Sequence, residues 1–228
     1  MKRSESFPVV FQGAVEGIVD EAVLRRLVSD LGAKAGNVYG KNGKDFLRRR
    51  IRGYNNAARF GPWVVIVDLD DEKQPCAPPL VSEWLPTPSQ QMCFRVAVRE
   101  IEAWLLADRE RISKFLAVAL SRVPTQPESL DDPKQALVNL ARCSRRRDIR
   151  EDMVPREDSG RKVGSAYDSR LIEFVIDAAN GWRPDVAAQS SDSLRRCMEC
   201  IRRLMASSSR IPAPKPKGAS TRGGPRAV

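Results

Sequence analysis

A chain of 228 residues, 42% hydrophobic and 30% charged, has globular composition and room for one large domain, or for one domain and a smaller helical partner. With aromatic residues at only 6%, Leu, Ile and Val must fill the core, and a net charge of +10 turns the surface towards an anionic partner, nucleic acid before an anionic membrane. The complete lack of histidine excludes Ser-His-Asp and Cys-His catalysis and His-ligated zinc, so any chemistry falls to carboxylates, lysine, tyrosine, thiol or a metal ion.

No apolar run reaches the length of a membrane span, and no apolar signal core follows Met1-Lys2-Arg3, so a cytoplasmic protein with no membrane attachment is expected. Five cysteines (Cys76, Cys93, Cys143, Cys197 and Cys200) are an odd, scattered set and are expected to be reduced. Cys197-x-x-Cys200 falls where Leu194, Met198, Ile201 and Met205 mark one apolar helical face, so packing is expected there rather than metal binding.

In chain order, the apolar run ending Val9-Val10-Phe11 predicts a strand from about Val9, followed by Glu16 between Gly13 and Gly17. A helix is expected from Asp20, with Ala22, Val23, Leu27 and Leu31 at near-helical spacing and Gly32 ending it. From Lys44 to Arg59, Leu47, Ile51, Tyr54 and Ala58 mark a second helix, and Lys44, Arg48 and Arg52 give it a basic side. Trp63-Val64-Val65-Ile66-Val67 reads as a strand buried on both faces, ending on Asp68-Leu69-Asp70-Asp71.

Residues 72–90 hold five prolines and little periodicity, which predicts a loop. Phe94 to Val98 resumes as a strand and leads into a helix carrying Ile101, Trp104 and Leu105. Asp108 would cap the next segment, Arg109 to Leu116; Asp132-Pro133 and Ser191 or Asp192 open later helices. Strands alternating with helices argue for an α/β fold, a mostly parallel sheet flanked by helices, over residues 7–108. A helical C-terminal region over 109–205 would pack on it, and a basic tail rich in Ser, Pro and Gly over 206–228 would be disordered.

Asp68 and Asp70, two apart at a strand end, can project into one site, and Glu16 holds the matching position after the first strand. Carboxyl ends of parallel strands form the ligand crevice, where Glu100 and Glu102 would add oxygen ligands; the same two residues equally suit a helix N-terminus. Clustered carboxylates need neutralising, and a hard divalent cation does this while bridging to a phosphate. For Asp-x-Asp alone, a solvated turn is the simpler reading. Arg99 can contact a phosphate or, more simply, pair with a carboxylate. Lys44, Arg48, Arg49 and Arg52, with Arg142, Arg145, Arg146, Arg147 and Arg150, can form a phosphate track or a solvated face.

Strand, Glu16-Gly17, helix and then a buried strand ending Val67-Asp68-Leu69-Asp70 resembles the TOPRIM motif of topoisomerases, primases and OLD-type nucleases. The strings Arg99 to Asp108, Asp132-Pro133-Lys134 and Ser193 to Cys197 resemble an uncharacterised bacterial group, domain-of-unknown-function family 4276, over about Val9 to Met205. That resemblance implies Mg²⁺ or Mn²⁺ on Glu16, Asp68 and Asp70, with the Glu available for acid/base work. It further implies nuclease chemistry on DNA or RNA, in phage defence beside an ATPase partner. Lys73 stands where TOPRIM proteins commonly have glycine, which favours the alternative of a non-catalytic nucleic-acid or protein-binding module on the same fold. The expected site is therefore Glu16, Asp68 and Asp70, joined by Glu100 and Glu102 at the metal, with Lys44, Arg48, Arg52 and Arg99 on the nucleic acid.

Overall fold

The structure is a computed structural model and describes residues 8–69 and 76–208. Asp70, Asp71, Lys73 and the tail beyond Ser208 lie outside the described residues. The protein is α/β: four strands, β1 (Val10–Val15), β2 (Lys34–Gly40), β3 (Trp63–Asp68) and β4 (Met92–Ala97), form one parallel sheet in the order β2-β1-β3-β4. Helix α1 (Ile18–Asp30) joins β1 to β2, α2 (Lys44–Ala57) joins β2 to β3, and α3 (Ala77–Trp84) lies between β3 and β4.

The period-two alternation of β3 decides which helices cover which face. Trp63, Val65 and Val67 pack with Leu47 and Ile51 of α2 and Leu80 and Trp84 of α3. Val64 and Ile66 point the other way, into a larger core with Val23, Leu24 and Leu27 of α1. Such two-sided burial is why β3 reads as an unbroken apolar run. Asp68, two residues beyond Ile66, continues on the α1 side.

The C-terminal half adds α4 (Ile101–Ala107), α5 (Arg109–Phe115), α6 (Pro133–Arg142), α7 (Arg147–Met153), α8 (Tyr167–Ile176), α9 (Pro184–Ala187) and α10 (Asp192–Ser208). Trp104, Leu137, Phe174 and Ile201 from these helices, with Trp182 from the loop before α9, join Phe11, Val23 and Leu27 in one continuous core, so the helical region closes over the α1 face of the sheet. Asp132 caps α6 by accepting from the N–H of Gln135 at 2.7 Å, and Ser191 accepts from the N–H of Leu194 at the start of α10. Cys197 and Cys200 are buried on α10, as packing predicts. Among the described residues no helix is long and apolar enough to cross a membrane.

Three local readings are corrected. The stretch 72–90 contains α3, because Pro78 and Pro79 fall in its first turn, where backbone N–H groups have no helical partner to lose. β2, at the sheet edge, has only Val38 buried in a segment carrying Gly36 and Gly40, so it gives no apolar run to read. Finally, α10 continues to Ser208, past the boundary expected at 205.

Asp108 is fully buried, and its carboxylate accepts from Arg183 Nε at 2.9 Å, Arg183 Nη2 at 2.7 Å and the Arg183 N–H at 3.0 Å, tying α5 to the loop before α9. It also caps α5 through the N–H of Arg111. Removing one partner of such a pair strands the other, so Asp108→Ala is expected to cost about 3 kcal/mol in urea unfolding. A loss under about 1 kcal/mol would mean that the pair contributes little to folding.

Candidate functional site

In a parallel sheet of order 2-1-3-4, the chain leaves β1 towards one edge and β3 towards the other, which opens a crevice between the carboxyl ends of β1 and β3. Glu16 follows β1 directly and Asp68 is the last residue of β3, so both sit at that crevice. They are joined there: Glu16 Oε1 accepts from the Asp68 N–H at 2.8 Å, and Asp68 Oδ1 accepts from the Ile101 N–H at 3.0 Å. A cleft of about 220 Å³ is lined by Glu16, Asp20, Asp68, Glu102, Lys134 and Asp168, together with Gly17, Ile18, Val19 and Ile101.

Each acid arrives from a different element. Asp20 is the third residue of α1 and folds back to accept from the N–H of Gly17, the helix N-cap, at 2.7 Å, so the same carboxylate caps the helix start and lines the cleft. Gly17 leaves room for this contact: a Cβ there would lie 2.8 Å from Asp20 Oδ2, so a larger residue would shift that carboxylate. Glu102, in the first turn of α4, is 3% exposed; its Oε1 accepts from Tyr167 Oη at 3.3 Å, and its Oε2 is buried with no hydrogen-bond partner among the described residues. Lys134, second residue of α6, places Nζ 2.9 Å from Glu100 Oε1 and 3.5 Å from Glu102 Oε1.

This crowding shows in the protonation of the group. Burial pushes the Asp68 carboxyl well above the usual range, and the carboxylates of Asp20, Glu102 and Glu16 push it further, against Lys134. Burial raises Glu102 to about 7, with Lys134 opposing and Glu100 adding. Asp20 is also raised, chiefly by burial. For Lys134, burial opposes the charge, but Glu102 and Glu100 outweigh it and hold the ammonium protonated. Among the described residues, five acids facing one space with a single lysine are an under-neutralised set, and an orphaned carboxylate oxygen among oxygen-only donors fits a hard divalent cation.

An acid whose pKa is raised on folding contributes stability that is present below its unfolded value and lost as pH rises through the folded one. Glu102 moves from 4.5 to about 7, so the metal-free chain is expected to lose on the order of a few kcal/mol between those pH values. A divalent cation competes with the proton and should bind more tightly across the same window. Thermal melts at stepped pH, with and without Mg²⁺, check both; a metal-free melting temperature that climbs from pH 5 to 7 would contradict the assignment.

Of the residues anticipated from sequence, Glu16, Asp68 and Glu102 meet in one cleft, whereas Glu100 turns to the backbone and side chain of Lys134. Asp70 lies outside the described residues, and among those described no three Cys, Asp or Glu side chains form a ready-made metal cluster. On α2, Arg48 is paired with Glu83 of α3, and Arg52 is exposed. Arg99 is part-exposed just beyond β4. Arg146, Arg147 and Arg150 are engaged by Asp148, Glu151 and the Ser144 carbonyl, which favours a solvated, internally paired face over a phosphate track. Asp20, Lys134 and Tyr167 were not anticipated as site residues; the position of Asp20 three after Gly17 and the Asp132-Pro133 cap before Lys134 were the available signals.

Comparison with known proteins finds no family model, no curated protein and no solved structure that matches the chain.

Proposed function

We propose that the protein is a TOPRIM-like, divalent-cation-dependent phosphodiesterase acting on nucleic acid, with Glu16, Asp68 and Glu102 as the core of its site and Asp70 as a further ligand. The observation that carries this reading is the Glu16 to Asp68 linkage at the β1/β3 crevice, inside a cleft with three more acids, Asp20, Glu102 and Asp168. A basic chain with an acidic cleft is suited to an anionic polymer only if a cation mediates between them. Mg²⁺ or Mn²⁺ bound there would polarise the phosphodiester and activate water against it. Glu16 and Asp68 would hold the cation, Glu102, poised near neutrality, would hold or release a proton, and Lys134 would oppose charge developing on the phosphate. An ATPase partner and a role in phage defence belong to the same proposal.

A non-catalytic binding module is the second reading, and Lys134 favours it, since an ammonium already inside the cleft offsets part of its acidic charge without metal. Cleavage of labelled DNA and RNA in Mg²⁺ or Mn²⁺, with and without a candidate ATPase, separates the two. Cutting abolished by EDTA is the expected result; binding without cutting under every condition selects the module. In either case affinity should fall steeply with salt, and Arg48→Ala with Arg52→Ala should reduce the slope of log K against log salt by about one, not two, because Glu83 already compensates Arg48. A slope untouched by both substitutions would remove the Arg48 and Arg52 side of α2 from the interface.

A further inference from the structure

Helix α2 has two different flanks beside its buried Leu47 and Ile51. Lys44, Arg48 and Asn55 lie on the side facing α3, where Arg48 meets Glu83 and Asn55 bonds the Thr87 carbonyl at 3.1 Å. The opposite flank, four residues apart on the edge side, carries Phe46, Arg50 and Tyr54. Arg50 lies over the Phe46 ring at 5.3 Å, a cation–π contact in the middle of an aromatic-arginine-aromatic stripe. Beside it, Tyr39 of edge strand β2 stacks on Trp63 of β3, with centroids 5.7 Å apart at 18°, and Tyr54 packs 5.2 Å from the same indole. The rings meet across β1, where Ala14 is the register partner of Tyr39 and leaves the sheet face low. Although it is backed by Trp63, Tyr39 remains 44% exposed.

This surface is tied through the backbone to the strand end that carries Glu16. The turn from β2 into α2 is bonded to the end of β1, with the Lys41 N–H donating to the Val15 carbonyl at 2.8 Å and the Gly43 N–H to the Glu16 carbonyl at 3.1 Å. A strand lying along the edge flank of α2 therefore runs towards Glu16. Along α2 a single acid, Asp45, stands against Lys44 and four arginines, so the surface is complementary to phosphate.

We propose that the edge formed by Tyr39, Phe46, Arg50 and Tyr54 is a stacking track for single-stranded nucleic acid that feeds the cleft. The inference rests on the reading of the cleft as a nucleic-acid site and goes beyond it by naming the strand form. Bases in a duplex cover one another's faces, whereas unpaired bases offer them to aromatic rings, and an arginine set between those rings, Arg50, neutralises the backbone beside the stacked bases. A duplex would find the arginines but would leave the rings unused.

The test is fluorescence anisotropy of the full chain with a labelled oligothymidine and with a hairpin duplex of equal length, in EDTA at low salt, followed by cleavage of both in Mn²⁺. Expected are binding of the single strand about tenfold tighter than the duplex, a loss of roughly tenfold in single-strand affinity for Tyr39→Leu and for Arg50→Gln, and retention of affinity in Tyr39→Phe. Tyr39→Leu should leave duplex affinity unchanged, which distinguishes lost stacking from a damaged fold. Equal affinity for the two forms, or full single-strand affinity in Tyr39→Leu, overturns the track. If duplex alone is bound and cut, the track fails while the proposed function stands; if neither form is bound or cut, both fail.

Discussion

Asp68→Asn is expected to reduce divalent-dependent cleavage roughly a thousandfold, equivalent to the several kcal/mol of charge stabilisation that a metal site supplies. Nucleic-acid binding should survive, because the basic surface and the acidic cleft are built from different residues. The same substitution should raise the melting temperature of the metal-free protein. Asp68 is crowded by Asp20, Glu102 and Glu16, and an amide keeps an oxygen for the Ile101 N–H while removing the charge. Since a raised carboxyl loses its stabilising contribution as pH rises, the advantage of the variant should widen from pH 5 to pH 8. Mg²⁺ should then stabilise the wild type and leave the variant unmoved. A variant destabilised at every pH, with its Mg²⁺ response intact, would place the cation elsewhere.

Lys134→Met is the second large effect. The lysine bonds Glu100 at 2.9 Å, approaches Glu102 at 3.5 Å and opposes the raised pKa of Asp68, so its loss leaves several acids facing one another in the cleft. Breaking a fully buried pair from one side costs about 3–5 kcal/mol, and because the Lys134 side chain is 35% exposed, screening by solvent lowers the expected cost to about 2 kcal/mol. That cost should appear at pH 8, shrink towards pH 5 as the acids take up protons, and be offset by millimolar Mg²⁺ or Mn²⁺. Urea unfolding at the two pH values, with and without cation, reads all three. A loss independent of both pH and cation would make Lys134 a packing residue of α6 and nothing more.

The parts of this fold that sequence could disclose are those whose burial is written in consecutive or periodic residues. Trp63 to Val67 reads as a central strand because both of its faces are covered, and Leu47, Ile51 and Ala58 reveal the inner face of α2. The crevice follows from strand order, so Glu16 and Asp68 could be placed at a common site before any contact was known. β2 was not legible, because an edge strand held by backbone bonds to β1 needs little apolar content. Prolines concealed α3 because the same residue that breaks a helix interior is at home in its first turn. Lys134 and Tyr167 reach the cleft only through the packing of α6 and α8 against the α1 face, a long-range outcome that no local spacing encodes. Nor does the sequence reveal that Glu100, two residues from Glu102, is turned away to Lys134 while Glu102 is buried in the cleft with one oxygen orphaned.

The central claim is that the acids at the β1/β3 crevice are a divalent-cation site, and anomalous scattering from crystals soaked in Mn²⁺ tests it most directly. The account predicts a peak inside the cleft, in contact with the carboxylates of Glu16 and Asp68. Crystals saturated with Mn²⁺ that show no peak in the cleft, with Lys134 still bridging Glu100 and Glu102, would contradict it.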